Sequence, residues 1–337
     1  DNHAILESLD SYRFNTPLND IENSDLIILL GTNPKIETPI INHKIFKAYN
    51  NDAKVFNIGE NISLNYKTEY LGESLSNLNN ENLIKALKKS TNPLIIIGSA
   101  FLNKIKNIKT LKSIFSYADK YKVITKEKNN LNFLNPYASR VGQLIIGNTT
   151  NNLCEPFSNL KKDNFELVLS FGSEHIANEQ FNNCFKVYFG HHGDDGAMGS
   201  DIVLPTPLYT EKNGTFVNIE GRPQEAKKCH NPIGSAKEEW SILKKLSNEL
   251  SFDFTPNTFD QLRSELFEKY PILSDYHEII AVENSTSITP DIEFEDCKAE
   301  YPVSNFYMSD VISKNSVTMA KCVDEIISTP SLLEKSA

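Results

Sequence analysis

The 337-residue chain has little of what most readily betrays a function. Its longest aliphatic runs are LIILL at 26–30 and LIII at 94–97. A membrane-spanning helix needs roughly 20 apolar residues, so none is encoded. Basic residues are outnumbered, 34 Lys and Arg against 44 Asp and Glu, for a net charge of −10. That balance argues against nonspecific nucleic-acid binding, which wants a basic surface. The five cysteines (Cys154, Cys184, Cys229, Cys297 and Cys322) lie far apart and form no CxxC pair. An odd, scattered set suits a reducing compartment better than a disulfide framework or an iron–sulfur ligand set. Burial or inertness is the expectation for these thiols. GxGxxG, the P-loop, GxSxG and HExxH are all missing. The opening segment, DNHAILESLDSYRFNTPL, has no initiator Met and no targeting pattern. It reads as the middle of a domain, which predicts a piece of a longer polypeptide or one half of a split subunit.

What is present is alternation. DLIILLG at 25–31 is an apolar run ending in Gly, as a buried parallel strand does. TPIINHKIFKAY follows as a helix with Pro39 in its first turn. AKVFNIG (53–59) and NPLIIIGSA (92–100) predict further strands, with the helix ENLIKALKK between them. Ile108, Leu111, Phe115 and Ala118 recur at i, i+3, i+7 and i+10, an amphipathic helix. KVIT (122–125), FELVLSFG (165–172) and FKVYFG (185–190) continue the strand series. Past Gly190 come turns and short strands. A helix then follows, with a capping box from Ser235 and Glu238 and an apolar stripe of Trp240, Leu243, Leu246 and Leu250. Beyond about residue 260 a polar connector leads to a last helical stretch around 310–326. The predicted fold class is α/β with a doubly wound, mostly parallel sheet.

Two places compete as sites. Gly-ended strands put GTNP (31–34) and GSAF (98–101) where open α/β sheets bind ligands. The plain alternative is that Gly31 and Gly98 only turn the chain from strand to helix. The second place is GHHGDDG at 190–196. Metal binding by His191 and His192 would need converging imidazoles, whereas neighbours on an extended segment point to opposite faces. Cys229 and His230 could join only through a long-range meeting. A turn is the better reading, with Gly193 and Gly196 at positive φ and Asp194 and Asp195 bonded to nearby amides. His43, His175 and His277 stand alone.

Residues 190–224, GHHGDDGAMGSDIVLPTPLYTEKNGTFVNIEGRPQ, nevertheless resemble a specific signature: that of the large iron–sulfur (75-kDa) subunit family of respiratory complex I. The likeness rests on residues 190–194, Gly196, Ala197, Asp201, Leu204, Pro205, residues 209–212, Thr215, Val217, Asn218, residues 220–222 and Gln224. DLIILLGTNPKIETPIINHKI, YLGES (70–74), GSAKEEWSILKKLS and FYMSDVISKNSVTMAKCV (306–323) are similar to further blocks of that family in the same order. The last of these points to its mitochondrial type. The resemblance implies a molybdopterin-oxidoreductase-like α/β domain without its cofactor over 1–260, and a C-terminal extension over 261–337 that packs on the domain and on neighbouring subunits. It implies no catalytic, cofactor-binding or metal-binding residue in this chain. Iron–sulfur clusters are expected in an N-terminal cysteine-rich half with no counterpart here. The implied partners are other peripheral-arm subunits of complex I, with no nucleic acid and no membrane insertion, on the matrix side of the mitochondrial inner membrane. The rival reading is a fragment of a molybdopterin-dependent oxidoreductase, formate-dehydrogenase-like, with residues 31–34 and 98–100 holding a nucleotide.

Overall fold

In the computed structural model of the chain, which describes residues 8–105, 108–147, 165–173, 184–280, 292–299 and 305–327, the run LIILL forms β1 (Leu26–Leu30). All five of its residues are buried, with successive side chains on opposite faces of the sheet. Leu26, Ile28 and Leu30 enter one apolar core and Ile27 and Leu29 the other. This is why the strand reads as a continuous apolar run and not as an alternation. Fully burying a side chain of this size contributes about 1.5–3 kcal/mol.

After β1 come α1 (Pro34–Glu37), α2 (Pro39–Asn50), β2 (Lys54–Ile58), β3 (Glu69–Gly72), α3 (Glu81–Leu87), β4 (Pro93–Ile97), α4 (Ser99–Leu102), α5 (Ile108–Lys120), β5 (Leu131–Phe133) and α6 (Arg140–Ile145). The sheet order is β3-β2-β1-β4-β5 with every pairing parallel. Ile41, Ile45 and Ala48 of α2 fill one face; Leu83 and Leu87 of α3, with Leu111, Ile114 and Phe115 of α5, fill the other. The expected strand over 122–125 does not form. Lys122 leaves α5 at φ +59, and Ile124 makes one antiparallel bridge to Asn129. A tight return from Thr125 to Lys128 leaves no room to extend it, and the strand is β5 instead.

Two compact units divide the chain, both discontinuous in sequence: residues 1–154, 217–223 and 277–304, and residues 155–216, 224–276 and 305–337. The first holds the sheet just described. In the second, β6 (Leu167–Phe171), β7 (Phe185–Gly190) and β8 (Ile202–Pro205) form a parallel three-stranded sheet, with α7 (Asp195–Met198) between β7 and β8. Next in the chain come β9 (Gly214–Val217) and β10 (Pro223–Ala226), which pair and whose Val217 and Pro223 count with the first unit, then α8 (Glu239–Glu249), α9 (Phe259–Lys269), α10 (Val311–Lys314) and α11 (Val317–Cys322) in the second.

The expected capping box of α8 is replaced by another arrangement. The helix starts at Glu239, and the Lys237 amide donates to the Pro205 carbonyl, which holds the preceding residues out of the helix. Glu238 sits at the cap, but its carboxylate accepts from the Trp240 indole at 2.6 Å. Of the apolar stripe, Trp240 and Leu243 are half-buried, while Leu246 and Leu250 are exposed.

Candidate functional site

The switch point of the five-stranded sheet lies between β1 and β4, where strand order reverses and a doubly wound fold binds its ligand. Gly31 and Gly98 stand there, as GTNP and GSAF placed them. Both are consumed by packing. A Cβ on Gly31 would lie 2.5 Å from Cδ2 of Phe101, a ring with no exposed surface. A Cβ on Gly98 would collide with the Gly31 carbonyl oxygen and lie 2.7 Å from Cβ of Thr32. Their amides are taken too: Gly31 donates to the Ile58 carbonyl and Gly98 to that of Leu30, each at 2.8 Å. At the start of α1, Glu37 Oε1 accepts from the Asn33 amide at 2.6 Å and the Thr32 hydroxyl at 3.2 Å. Burial raises the Glu37 carboxyl above the usual carboxylate range, against the pull of those two hydrogen bonds.

The GHHGDDG loop belongs to the second unit, and its structure departs from the expected turn. Neither Gly193 nor Gly196 has positive φ. Asp194 does bond to a nearby amide as expected, capping the single turn of α7 with its Oδ1 accepting from the Ala197 amide at 2.8 Å. Its Oδ2 accepts from the Tyr188 hydroxyl at 2.5 Å, and both residues are buried. The Tyr188 ring explains two glycines. A Cβ on Gly190 would strike that ring, and one on Gly196 would lie 2.8 Å from its Cε2 and 2.7 Å from the Ser173 carbonyl oxygen. The loop is thus clasped by a buried tyrosine–aspartate hydrogen bond. No side-chain bond from Asp195 joins that clasp, although it begins α7.

His191 and His192 do converge, contrary to the strand geometry expected of neighbours. Their Nδ1 atoms are 2.6 Å apart and their rings meet edge-on, because the chain bends as it leaves β7. Partial burial, then His192 and Lys212, push the His191 imidazole below its ordinary pKa, against Glu239 and Asp194. Lys212 pairs with Glu239 at 2.5 Å, joining the YTEK stretch to the first residue of α8. The buried Glu211 accepts from the Leu208 amide through Oε2 at 3.1 Å, and its Oε1 lies 3.8 Å from His230 Nδ1. Among the described residues, no group of three or more His, Cys, Asp and Glu side chains is placed to hold a metal.

The NIEGR turn, 218–222, serves the first unit. Asn218 Oδ1 accepts from the amides of Glu220 and Arg222, and Gly221 takes φ +84. Glu220 Oε1 accepts from the Leu18 amide at 2.8 Å, and the Arg222 guanidinium donates to the His277 carbonyl. The turn therefore ties two distant segments together. His43 is exposed on α2, His277 is exposed at φ +73, and His175 and Cys154 lie outside the described residues. Of the other thiols only Cys184 is buried; Cys229 is exposed, so burial does not hold for the set, and Cys297 and Cys322 are intermediate. Burial, then Glu295, raises the Cys297 thiol.

The chain matches the family described as Molybdopterin oxidoreductase over residues 4–249, and it belongs to that family. A second match, over residues 281–322, is to the C-terminal part of an NADH-ubiquinone oxidoreductase subunit. An NADH-quinone oxidoreductase subunit of Rickettsia bellii is 36% identical over 321 residues, covering 93% of this chain and 46% of that protein. The NADH-ubiquinone oxidoreductase 75 kDa subunit of Reclinomonas americana is 36% identical over 335 residues, covering 94% of this chain and 48% of its own. The chain spans about half the length of these curated relatives. In fold alone it is similar to a chain of the formyltransferase/hydrolase complex from Methylorubrum extorquens, with TM-score 0.51, 12% identity, and coverage of 74% of this chain and 81% of that one. The family implies a molybdenum–pterin group. The residues at the switch point give it a poor fit: Phe101 packs on Gly31, the Gly31 and Gly98 backbones lie against each other and their amides are paired, although Asn33 Oδ1, Thr38 Oγ1 and Ser99 Oγ are buried there without a hydrogen-bond partner.

Proposed function

We propose that this chain is a structural part of the peripheral arm of respiratory complex I. It supports the polypeptide that bears the iron–sulfur clusters while the assembled enzyme passes electrons from NADH to ubiquinone. The observation that carries this reading is similarity over 93% of the chain to an NADH-quinone oxidoreductase subunit, joined by the separate C-terminal match over residues 281–322. The chain itself supplies no catalytic, cofactor-binding or metal-binding residue. Residues 261–337 pack on the domain and on neighbouring subunits, chiefly the iron–sulfur half. The assembly stands on the matrix side of the mitochondrial inner membrane, a location supported by the likeness to the Reclinomonas protein. Among the described residues, no helix is long and apolar enough to cross a membrane.

The competing function, a molybdopterin-dependent oxidoreductase fragment with a nucleotide at 31–34 and 98–100, is opposed by the glycine contacts there and by the match at 281–322. His191→Ala and Asp194→Ala test the scaffold. Each should lower the amount of assembled complex and leave NADH oxidation per assembled complex unchanged. Normal assembly with slower turnover would contradict the proposal.

A further inference from the structure

The carboxyl edge of the five-stranded sheet is closed by the chain itself in two places. Between β1 and β4 the closure is Phe101, against which Gly31 packs, and the Gly31 carbonyl, against which Gly98 packs. Over β2 and β3 it is an extended strap, residues 292–299. The Glu293 amide donates to the Ser113 hydroxyl of α5 at 3.1 Å, and the Phe294 ring meets Tyr117 edge-on with centroids 5.6 Å apart. The Ser74 hydroxyl donates to Asp296 at 2.5 Å, and the Leu75 amide donates to the Cys297 carbonyl at 3.3 Å. Lys298 bridges to Ser74 in antiparallel fashion and pairs with Glu73 at 2.9 Å. Ala299 then reaches the end of β2, where its Cβ would lie 3.4 Å from a Cβ added to Gly59. Ile292, Phe294, Cys297 and Ala299 all pack on the core shared by α3 and α5.

We infer that this is a built-in seal: Phe101 and the 292–299 strap take up the space at the strand ends that a nucleotide-bearing ligand would need, and the Glu37 carboxyl occupies the Asn33 amide. A phosphate at such an edge needs free amides. Here the amides of Gly31, Gly98 and Asn33 are engaged within the chain, and the last of them holds the Glu37 carboxylate. The glycines are therefore present for contact between backbones and not for the approach of a ligand. The inference rests on the fold and not on the complex proposed above, so a chain that entered no such complex would still carry the seal.

Gly98 separates the two roles. Its φ of −90° and ψ of 168° suit any residue, so Gly98→Ala probes contact alone. If the edge is sealed, Gly98→Ala of the full chain, with no ligand present, loses thermal stability by about 5 °C or more, as overpacking does. Wild-type protein then shows no saturable binding of GMP or ADP by equilibrium dialysis at millimolar concentration. An unchanged melting temperature for Gly98→Ala would overturn the inference. So would saturable nucleotide binding by the wild type that Gly98→Ala abolishes, a result legible even if the variant accumulates poorly. Neither outcome bears on whether the chain assembles with iron–sulfur partners.

Discussion

Removing one oxygen tests the clasp of the GHHGDDG loop. Tyr188→Phe deletes the hydroxyl that donates to Asp194 at 2.5 Å, with both residues buried. A hydrogen bond to a charged group contributes about 1.5–3 kcal/mol, so a loss of about 2 kcal/mol is expected. Asp194→Ala removes the same bond and also the cap on the Ala197 amide, worth about 1 kcal/mol. It further strands the tyrosine hydroxyl in the interior, for a total of about 3–4 kcal/mol. The two substitutions share one interaction, so their effects must not add. A double-mutant cycle by urea denaturation, followed by the fluorescence of the single tryptophan Trp240 and by circular dichroism, should give a coupling energy of about 1.5–2 kcal/mol. Asp194→Asn keeps the cap and should fall between wild type and Asp194→Ala. Additivity within about 0.3 kcal/mol would refute the clasp as the reason this aspartate is here.

Two further perturbations follow from the same geometry. Gly196→Ala should destabilise by about 1–2 kcal/mol, although alanine favours helices, because the new methyl meets Tyr188 and the Ser173 carbonyl at 2.7–2.8 Å; a thermal melt showing stabilisation would sink the packing explanation. Glu37→Gln should alter the dependence of stability on pH. The folded chain holds the Glu37 proton more tightly than the unfolded chain does, so this group's contribution is fullest at acid pH and is lost as pH rises through the raised folded value. Relative to Glu37→Gln, wild type should therefore lose stability as pH rises from the ordinary carboxylate range through the raised folded value, and parallel curves would show that the carboxyl is not perturbed.

Legibility in the sequence tracks how local each determinant is. Buried parallel strands announce themselves, because both faces need apolar side chains, and β1, β2 and β4 lie where their runs end in Gly. α2 and α5 show in periodicity for the same reason. β5 is three residues long, too short to carry a pattern, and its register is held by pairing with β4. The start of α8 escapes a local reading because a distant carbonyl, Pro205, decides where the helix can begin. At the candidate site, the spacing in GHHGDDG suggests turn glycines. The decisive group is a ring, Tyr188, whose position against Gly190 and Gly196 exists only once β7 and α7 have packed. FKVYFG does place a tyrosine two residues before the terminal glycine, and that is the one available signal. The convergence of His191 and His192, and the meeting of Lys212 with Glu239, likewise depend on bends and distant elements that no periodicity encodes.

The most direct test of the scaffold assignment is native purification of the chain with whatever accompanies it, followed by metal analysis and mass spectrometry of the same sample. The expected result is a large assembly with NADH dehydrogenase activity, iron but no molybdenum, and a cysteine-rich companion polypeptide. Stoichiometric molybdenum with a bound pterin would contradict it and would make the strand-end glycines part of a living cofactor site.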